Sequence, residues 1–288
     1  MANALFEKGR EGFLDGTIDW DTNTIKAALI DTGTADTGIK AITAASNATP
    51  IVITATAHGF TNGDIVYVDS VGGNLAANGL WKIANVAANT FELTRPPDGV
   101  NSTGSAAYTS GGFAVNLGPS ASGDNWDDFD GALVGTAQTL ASPTVTQGVA
   151  DANDVTFTAV SGASVEAIML YKDTGTASTS RMIAVISGKH IVTCNTQANA
   201  AATSIPVEPL AAGIPNSTVL TFSNGATATL SALANAGDRS LTVSALAANV
   251  TAASRALAPA TGSGLPVTPN GGNIVITWDN GVNRIFKL

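Results

Sequence analysis

The sequence SIPVEPLAAGI, which begins at Ser204, returns as SLTVSALAANV from Ser240. At the same offset, Ala198-Asn199-Ala200 returns as Ala234-Asn235-Ala236. A repeat of this length indicates a duplicated supersecondary unit whose two halves bury one face together. We therefore predict a compact β module over residues 195–258. The apolar residues that would form its shared face are Ile205, Val207, Leu210 and Ile214 in the first copy and Leu241, Val243, Leu246 and Val250 in the second.

Turn dipeptides divide much of the remaining chain into short strands. Asn224-Gly225 lies inside the repeat, and Asn62-Gly63, Gly72-Gly73 and Asn78-Gly79 follow one another at short intervals. Such pairs accept positive φ at low cost and close tight hairpins. The proline-rich stretch after Thr94 ends this run, because proline cannot donate a hydrogen bond to a sheet. Residues 41–110 are therefore predicted to form a second β module, barrel-like or Ig-like.

The two ends of the chain predict the remaining elements. Asn273–Trp278 and Val282–Leu288 flank Asp279-Asn280-Gly281, a type I′ turn signal, and predict a C-terminal hairpin. The first fifteen residues predict a short helix, ending near Gly16. The expected fold is mainly β: a discontinuous, β-sandwich-like host domain with a short N-terminal helix and two inserted small β modules. Its three parts are residues 1–40, 111–194 and 259–288.

Composition excludes several classes of function. The 288 residues carry a net charge of −9 without any Lys/Arg-rich run, whereas nucleic-acid binding requires clustered cations. Cys194 is the only cysteine, so it predicts a small buried hydrophobe and no disulfide. No segment approaches the ~20 apolar residues of a membrane span, and the charged N-terminus does not match a signal peptide. We expect no nucleic-acid or membrane partner, and assembly in a bacterial cytoplasm.

Chemistry-bearing residues are few. The sequence has two histidines, His58 and His190, and no nucleophile elbow, zinc helix or phosphate loop. We expect no catalytic residue and no cofactor. The segment DNWDDFD offers a weak calcium candidate, but it lacks the alternating acidic pattern of a calcium loop. A solvated acidic loop anchored by Trp126 is the alternative interpretation. The four candidate ligands are Asp124, Asp127, Asp128 and Asp130.

Large aromatic residues of the predicted host domain are candidates for an interface. Trp20, Trp126, Trp278 and Phe286 all fall in its three parts. Tryptophan is enriched among interface anchors because it buries a large area. The alternative is that these side chains pack one common core.

Three separated stretches resemble a family of small tailed-bacteriophage virion proteins. They are LFEKGREGFLDGTIDWDTNTIKAALIDT from Leu5, VTQGVADANDVTFTAVSGASVEAIMLYKDTGTASTSRMIAVI from Val145, and GLPVTPNGGNIVITWDNGVNRIFKL from Gly264. In simpler members the three run almost directly into one another. The two intervening segments resemble β modules found spliced into phage structural proteins.

The resemblance implies a part of the virion and leaves two roles open. The first is a capsid decoration or cement protein on the head surface, with the major capsid protein as partner and oligomerisation on the particle. The second is a tail or fibre component, such as an adhesin that contacts the host cell.

Overall fold

The structure, a computed structural model, describes residues 4–34, 37–96, 99–118, 124–281 and 284–288. It is mainly β, with one α-helix, Glu7–Leu14, among these residues. The predicted fold class and the N-terminal helix are therefore confirmed. The chain divides into two compact units. Unit 1 comprises Met1–Ile39, Asn116–Gly188 and Gly264–Leu288, and unit 2 comprises Lys40–Val115 and Lys189–Ser263.

Unit 2 consists of two separate stretches of the chain. The sequence placed the inserted segments at residues 41–110 and 195–258, and the structure groups both of them into unit 2. It also assigns the strand Lys189–Thr193 to unit 2, where it pairs with Arg255–Pro259.

Unit 1 is built around a five-stranded antiparallel sheet. Its middle strands are rich in apolar residues because both faces are covered, and Leu29, Ala28, Met169 and Leu170 are all fully buried. One face contributes to a core shared with two smaller sheets. In spatial order the large sheet contains Ala4–Leu5, Met182–Ile186, Ala167–Lys172, Ile25–Ile30 and Leu133–Thr139; the smaller sheets contain Thr144–Thr146, Val149–Asp151 and Phe286–Lys287, and Val155–Phe157 with Ile274–Ile276.

The helix Glu7–Leu14 packs on the strand Met182–Ile186. Gly9 permits this approach, because a Cβ at this position would lie 2.8 Å from the Met182 carbonyl oxygen. The glycine that weakens the helix in isolation is thus required by its packing. Short 3₁₀ turns complete the unit at Trp126–Asp128, Asp130–Ala132 and Ala177–Thr179.

The predicted C-terminal hairpin is wrong in its pairing. Ile274–Ile276 bonds to Val155–Phe157, and Phe286–Lys287 bonds to Val149–Asp151, so the two arms have different partners. Residues 282 and 283 of the second arm lie outside the described residues. The reason is tertiary: the buried Trp278 donates its indole N–H to the Asn153 carbonyl at 3.1 Å, which draws the chain away from a tight turn.

Unit 2 contains a seven-stranded sheet from its first stretch. Trp81, Phe91, Ile53 and Val66 are fully buried in the core of this sheet. A 3₁₀ turn, Leu75–Ala77, lies beside it, and the Trp81 indole N–H donates to the Ala77 carbonyl at 2.7 Å. The spatial order is Ile39–Ala41, Phe113–Asn116, Ile65–Asp69, Gly79–Ala84, Thr90–Thr94, Val52–Thr54 and Ala44–Ala45.

The duplicated module forms the second stretch of unit 2, and its halves are related by a local pseudo-two-fold axis. Ser204–Pro206 pairs antiparallel with Ser240–Thr242, which places Ile205 opposite its own repeat equivalent, Leu241. The bridge between Ala198 and Val250 recurs between the equivalent residues Ala234 and Ile214. All eight residues predicted for the shared face belong to one core, so the prediction is confirmed.

The hairpin predicted around Asn224-Gly225 is also confirmed. Val219–Thr221 pairs with Thr227–Thr229, and Gly225 adopts the left-handed conformation, with φ of 84°, that the turn requires.

The two stretches of unit 2 are bonded to each other at several points. The Thr103 amide donates to the Ser223 carbonyl at 2.9 Å. The Arg95 guanidinium donates to the Ala252 carbonyl at 3.2 Å. In the opposite direction, the Arg255 guanidinium donates to a carbonyl in the strand Gly79–Ala84. The inserts therefore make one body.

Candidate functional site

All four aromatic interface candidates are buried in unit 1. Trp20 meets Phe286 edge to face at 5.0 Å and donates its indole N–H to the Asp151 carbonyl at 2.8 Å. Trp278 is held by Asn153, as described above, and Trp126 stacks on Tyr171 at 4.4 Å. These contacts within unit 1 are sufficient to explain the burial of the four side chains, so no partner protein is needed to cover them. A role in an interface stays a prediction.

Hydrogen bonds of the backbone and of two side chains order the acidic segment. Asn125 and Asp128 form a capping box around the turn Trp126–Asp128, and the Asp128 carbonyl accepts the Gly38 amide at 2.7 Å. Burial raises the pKa of Asp124 to about 6, whereas Asp127 and Asp130 are exposed. Within the described ranges, no three His, Cys, Asp or Glu side chains converge as ligands for a metal ion.

The sequence did not predict that two further acidic side chains interact. Asp19 and Asp21 flank the buried Trp20, and their carboxyl groups share a hydrogen bond that lowers the pKa of Asp19 and raises that of Asp21. In the sequence this pair is visible as Asp-Trp-Asp. The tryptophan side chain is buried, and both carboxylates stay exposed.

A polar cleft of about 500 Å³ lies in unit 1 beside the small three-stranded sheet. The Arg284 guanidinium lies 3.5 Å from the Asp151 carboxylate and donates to the Asn280 side-chain oxygen at 3.2 Å. Because these charges are paired and the remaining lining side chains are mostly hydroxyls and carboxamides, the cleft offers contacts to a neutral polar group. Its described lining offers no histidine or cysteine for acid–base or nucleophilic chemistry: Thr144, Thr146, Gln147, Val149, Asp151, Asn280, Gly281 and Arg284.

Both histidines lie in unit 2 and are buried. The His58 ring accepts the Phe60 amide at Nδ1, 3.0 Å away, and contacts Phe60 and Phe91. Burial lowers its pKa, and the nearby Ala87 and Thr90 carbonyls oppose that shift. His58 therefore orders its loop and packs the core.

An ion pair with a buried carboxylate joins the two stretches of unit 2. The Asp69 carboxylate is 1% exposed and lies 2.5 Å from the Lys189 ammonium. It also accepts the Tyr67 hydroxyl at 2.9 Å and the Ser70 amide. Neither residue stood out in the sequence, because they lie far apart in the chain and belong to no motif.

No family model and no curated protein matches this chain. Among the described residues, the α-helix has 8 residues, and no helix has the length and hydropathy of a membrane span.

Proposed function

We propose that the chain is a structural protein of a tailed-bacteriophage virion, a decoration or cement protein on the head surface. Its partner is the major capsid protein, on which it assembles in several copies. The proposal includes no catalytic activity. Multivalent attachment at symmetry-related positions permits weak contacts per copy.

The proposal is supported by which stretches of the chain form unit 1. The three stretches that resemble small phage virion proteins, Leu5–Thr32, Val145–Ile186 and Gly264–Leu288, all fall inside it. The segments between them collect mainly in unit 2. A small virion domain that carries an inserted accessory body has this organisation, and insertion at surface turns is well tolerated.

Unit 1 also has exposed apolar side chains with which to test docking. Leu14, at the end of the helix, is 89% exposed, and Val275 is also exposed. Scattered exposed apolar residues are common on monomers, so they do not by themselves support docking. They are suitable positions for substitution, because a polar side chain at an exposed site leaves stability almost unchanged.

The test is co-sedimentation of the purified full chain with empty capsids, isolated tails and host cells. Saturable binding to capsids, at many copies per particle, is expected. Leu14→Gln and Val275→Thr should weaken that binding if unit 1 docks on the shell. Val219→Thr is the matched control, because Val219 is similarly exposed but lies in unit 2.

The competing role has a different outcome in the same assay. Binding to tails or cells and never to capsids would replace the head-surface proposal with a tail or fibre component. Equal losses for the unit 1 variants and for Val219→Thr would contradict docking through unit 1.

A further inference from the structure

His190 is a buried histidine whose ring has no hydrogen-bond partner in the part of the chain that the structure describes. It lies on the strand Lys189–Thr193, opposite Ala258, and is 1% exposed. Neither ring nitrogen has a partner among the described residues. A neutral imidazole carries one donor and one acceptor, so both are buried unsatisfied. Such groups are rare in folded proteins, and each reduces stability.

Among the described residues, no carboxylate offsets a proton on this ring. On its own strand the charged residue is Lys189, and on the paired strand it is Arg255, opposite Thr193; both are cationic. The carboxylate on the strand Ile65–Asp69 is Asp69, and it is already bonded to Lys189, Tyr67 and Ser70. An imidazolium at position 190 would therefore be a buried charge without a partner, which is strongly unfavourable.

We propose that mild acid opens unit 2 through protonation of His190 and leaves unit 1 folded. Both histidines of the chain lie in unit 2, so protonation of imidazole acts on that unit alone.

The direction of the pKa shift determines how the stability of unit 2 changes with pH. Burial lowers the pKa of His190 from its ordinary value of 6.5 to about 4. Between these two values the opened unit binds a proton that the folded unit does not. The folding equilibrium constant of unit 2 should then fall by up to about tenfold per pH unit, and roughly 300-fold across the window. His58 shifts in the same direction, so it adds to the effect.

Cys194 provides the assay. It is the only cysteine, and it is buried in the core of the duplicated module. Its reaction with 4,4′-dithiodipyridine, followed from pH 7 to pH 4 on the full chain, reports opening of unit 2. Each rate is divided by the rate for the urea-unfolded chain at the same pH. The indole N–H resonances of Trp20, Trp126 and Trp278, all in unit 1, are followed by NMR in the same pH series and report unit 1.

In the wild-type chain, the normalised rate should rise about tenfold per pH unit below pH 6.5 while unit 1 stays folded. His190→Leu, of similar volume, should remove most of that rise. Ile191→Val, on the same strand, is the control: it lowers stability but should keep the pH slope. Equal slopes in wild type and His190→Leu, or loss of both units at one pH, would overturn the proposal.

A direct measurement covers the case in which His190→Leu fails to fold. The imidazole resonances of the wild-type chain are followed by NMR during acidification. His190 should keep its neutral shift until unit 2 opens. A fast-exchange titration near pH 6.5 in the folded chain would refute the mechanism.

Discussion

Asp69→Asn should destabilise unit 2 because it breaks the ion pair with Lys189. The change keeps the shape of the side chain but leaves the Lys189 ammonium facing a neutral amide. Removing one partner of a fully buried pair costs about 3–5 kcal/mol. The Lys189 side chain is 34% exposed and can turn toward water, so we expect about 2–3 kcal/mol.

A double-mutant cycle isolates the pair. Lys189→Met should cost about 3 kcal/mol, because the buried Asp69 carboxylate then keeps only its bonds from Tyr67 and Ser70. The double variant should be more stable than the sum of the single changes predicts, by roughly 1–2 kcal/mol.

The assay is urea unfolding at pH 7.5, followed by the reactivity of Cys194. Lys82→Met is the control, since Lys82 is exposed in the same sheet, and it should stay within about 0.5 kcal/mol of wild type. A coupling energy below roughly 0.5 kcal/mol would refute the idea that this pair fastens the two stretches.

Three further predictions concern packing, symmetry and pH. Trp278→Phe should destabilise unit 1 by about 2 kcal/mol, because it leaves a void and an unpaired carbonyl; the measurement is urea unfolding followed by the indole NMR resonances of Trp20 and Trp126. Ile205→Ala and Leu241→Ala should each cost about 3 kcal/mol, and a difference above roughly 1 kcal/mol would contradict their equivalence. Lys26, at 2.6 Å, lowers the pKa of Asp173, so this pair stabilises unit 1 above the ordinary Asp pKa and loses its effect as the pH falls through the lowered value. Lys26→Met should therefore cost up to about 1 kcal/mol in urea unfolding at pH 7. It should cost almost nothing at a pH well below the lowered pKa of Asp173.

The sequence predicted the elements whose causes are local. The repeat was visible because equivalent apolar residues recur at one offset, and a duplicated unit can bury them only by pairing its halves. The turn at Asn224-Gly225 was visible for a similar reason. The tail pattern was equally strong locally, yet its strands pair elsewhere, because the indole of Trp278 has its acceptor on Asn153. Tertiary partners of this kind leave no trace in a short window.

The candidate sites divide in the same way. Trp20, Trp126 and Trp278 are all buried, and Trp20 and Trp278 share one core with Phe286. The pair of Asp69 and Lys189, and the unpartnered ring of His190, depend on which strands lie side by side. Composition indicated only that histidine is scarce. It gave no sign that both histidines would lie in one unit, out of contact with water.

Because the two inserts form one unit, deleting one of them should affect the other. If each insert were independent, removing residues 195–258 would leave the first stretch of unit 2 intact. In the structure it would take away the strand partner of Lys189–Thr193 and the carbonyl groups that bind Arg95 and the Thr103 amide. The reverse deletion would expose Lys189 without its carboxylate. Because each stretch satisfies polar groups of the other, deleting one insert should destabilise the other, while unit 1 keeps its own core.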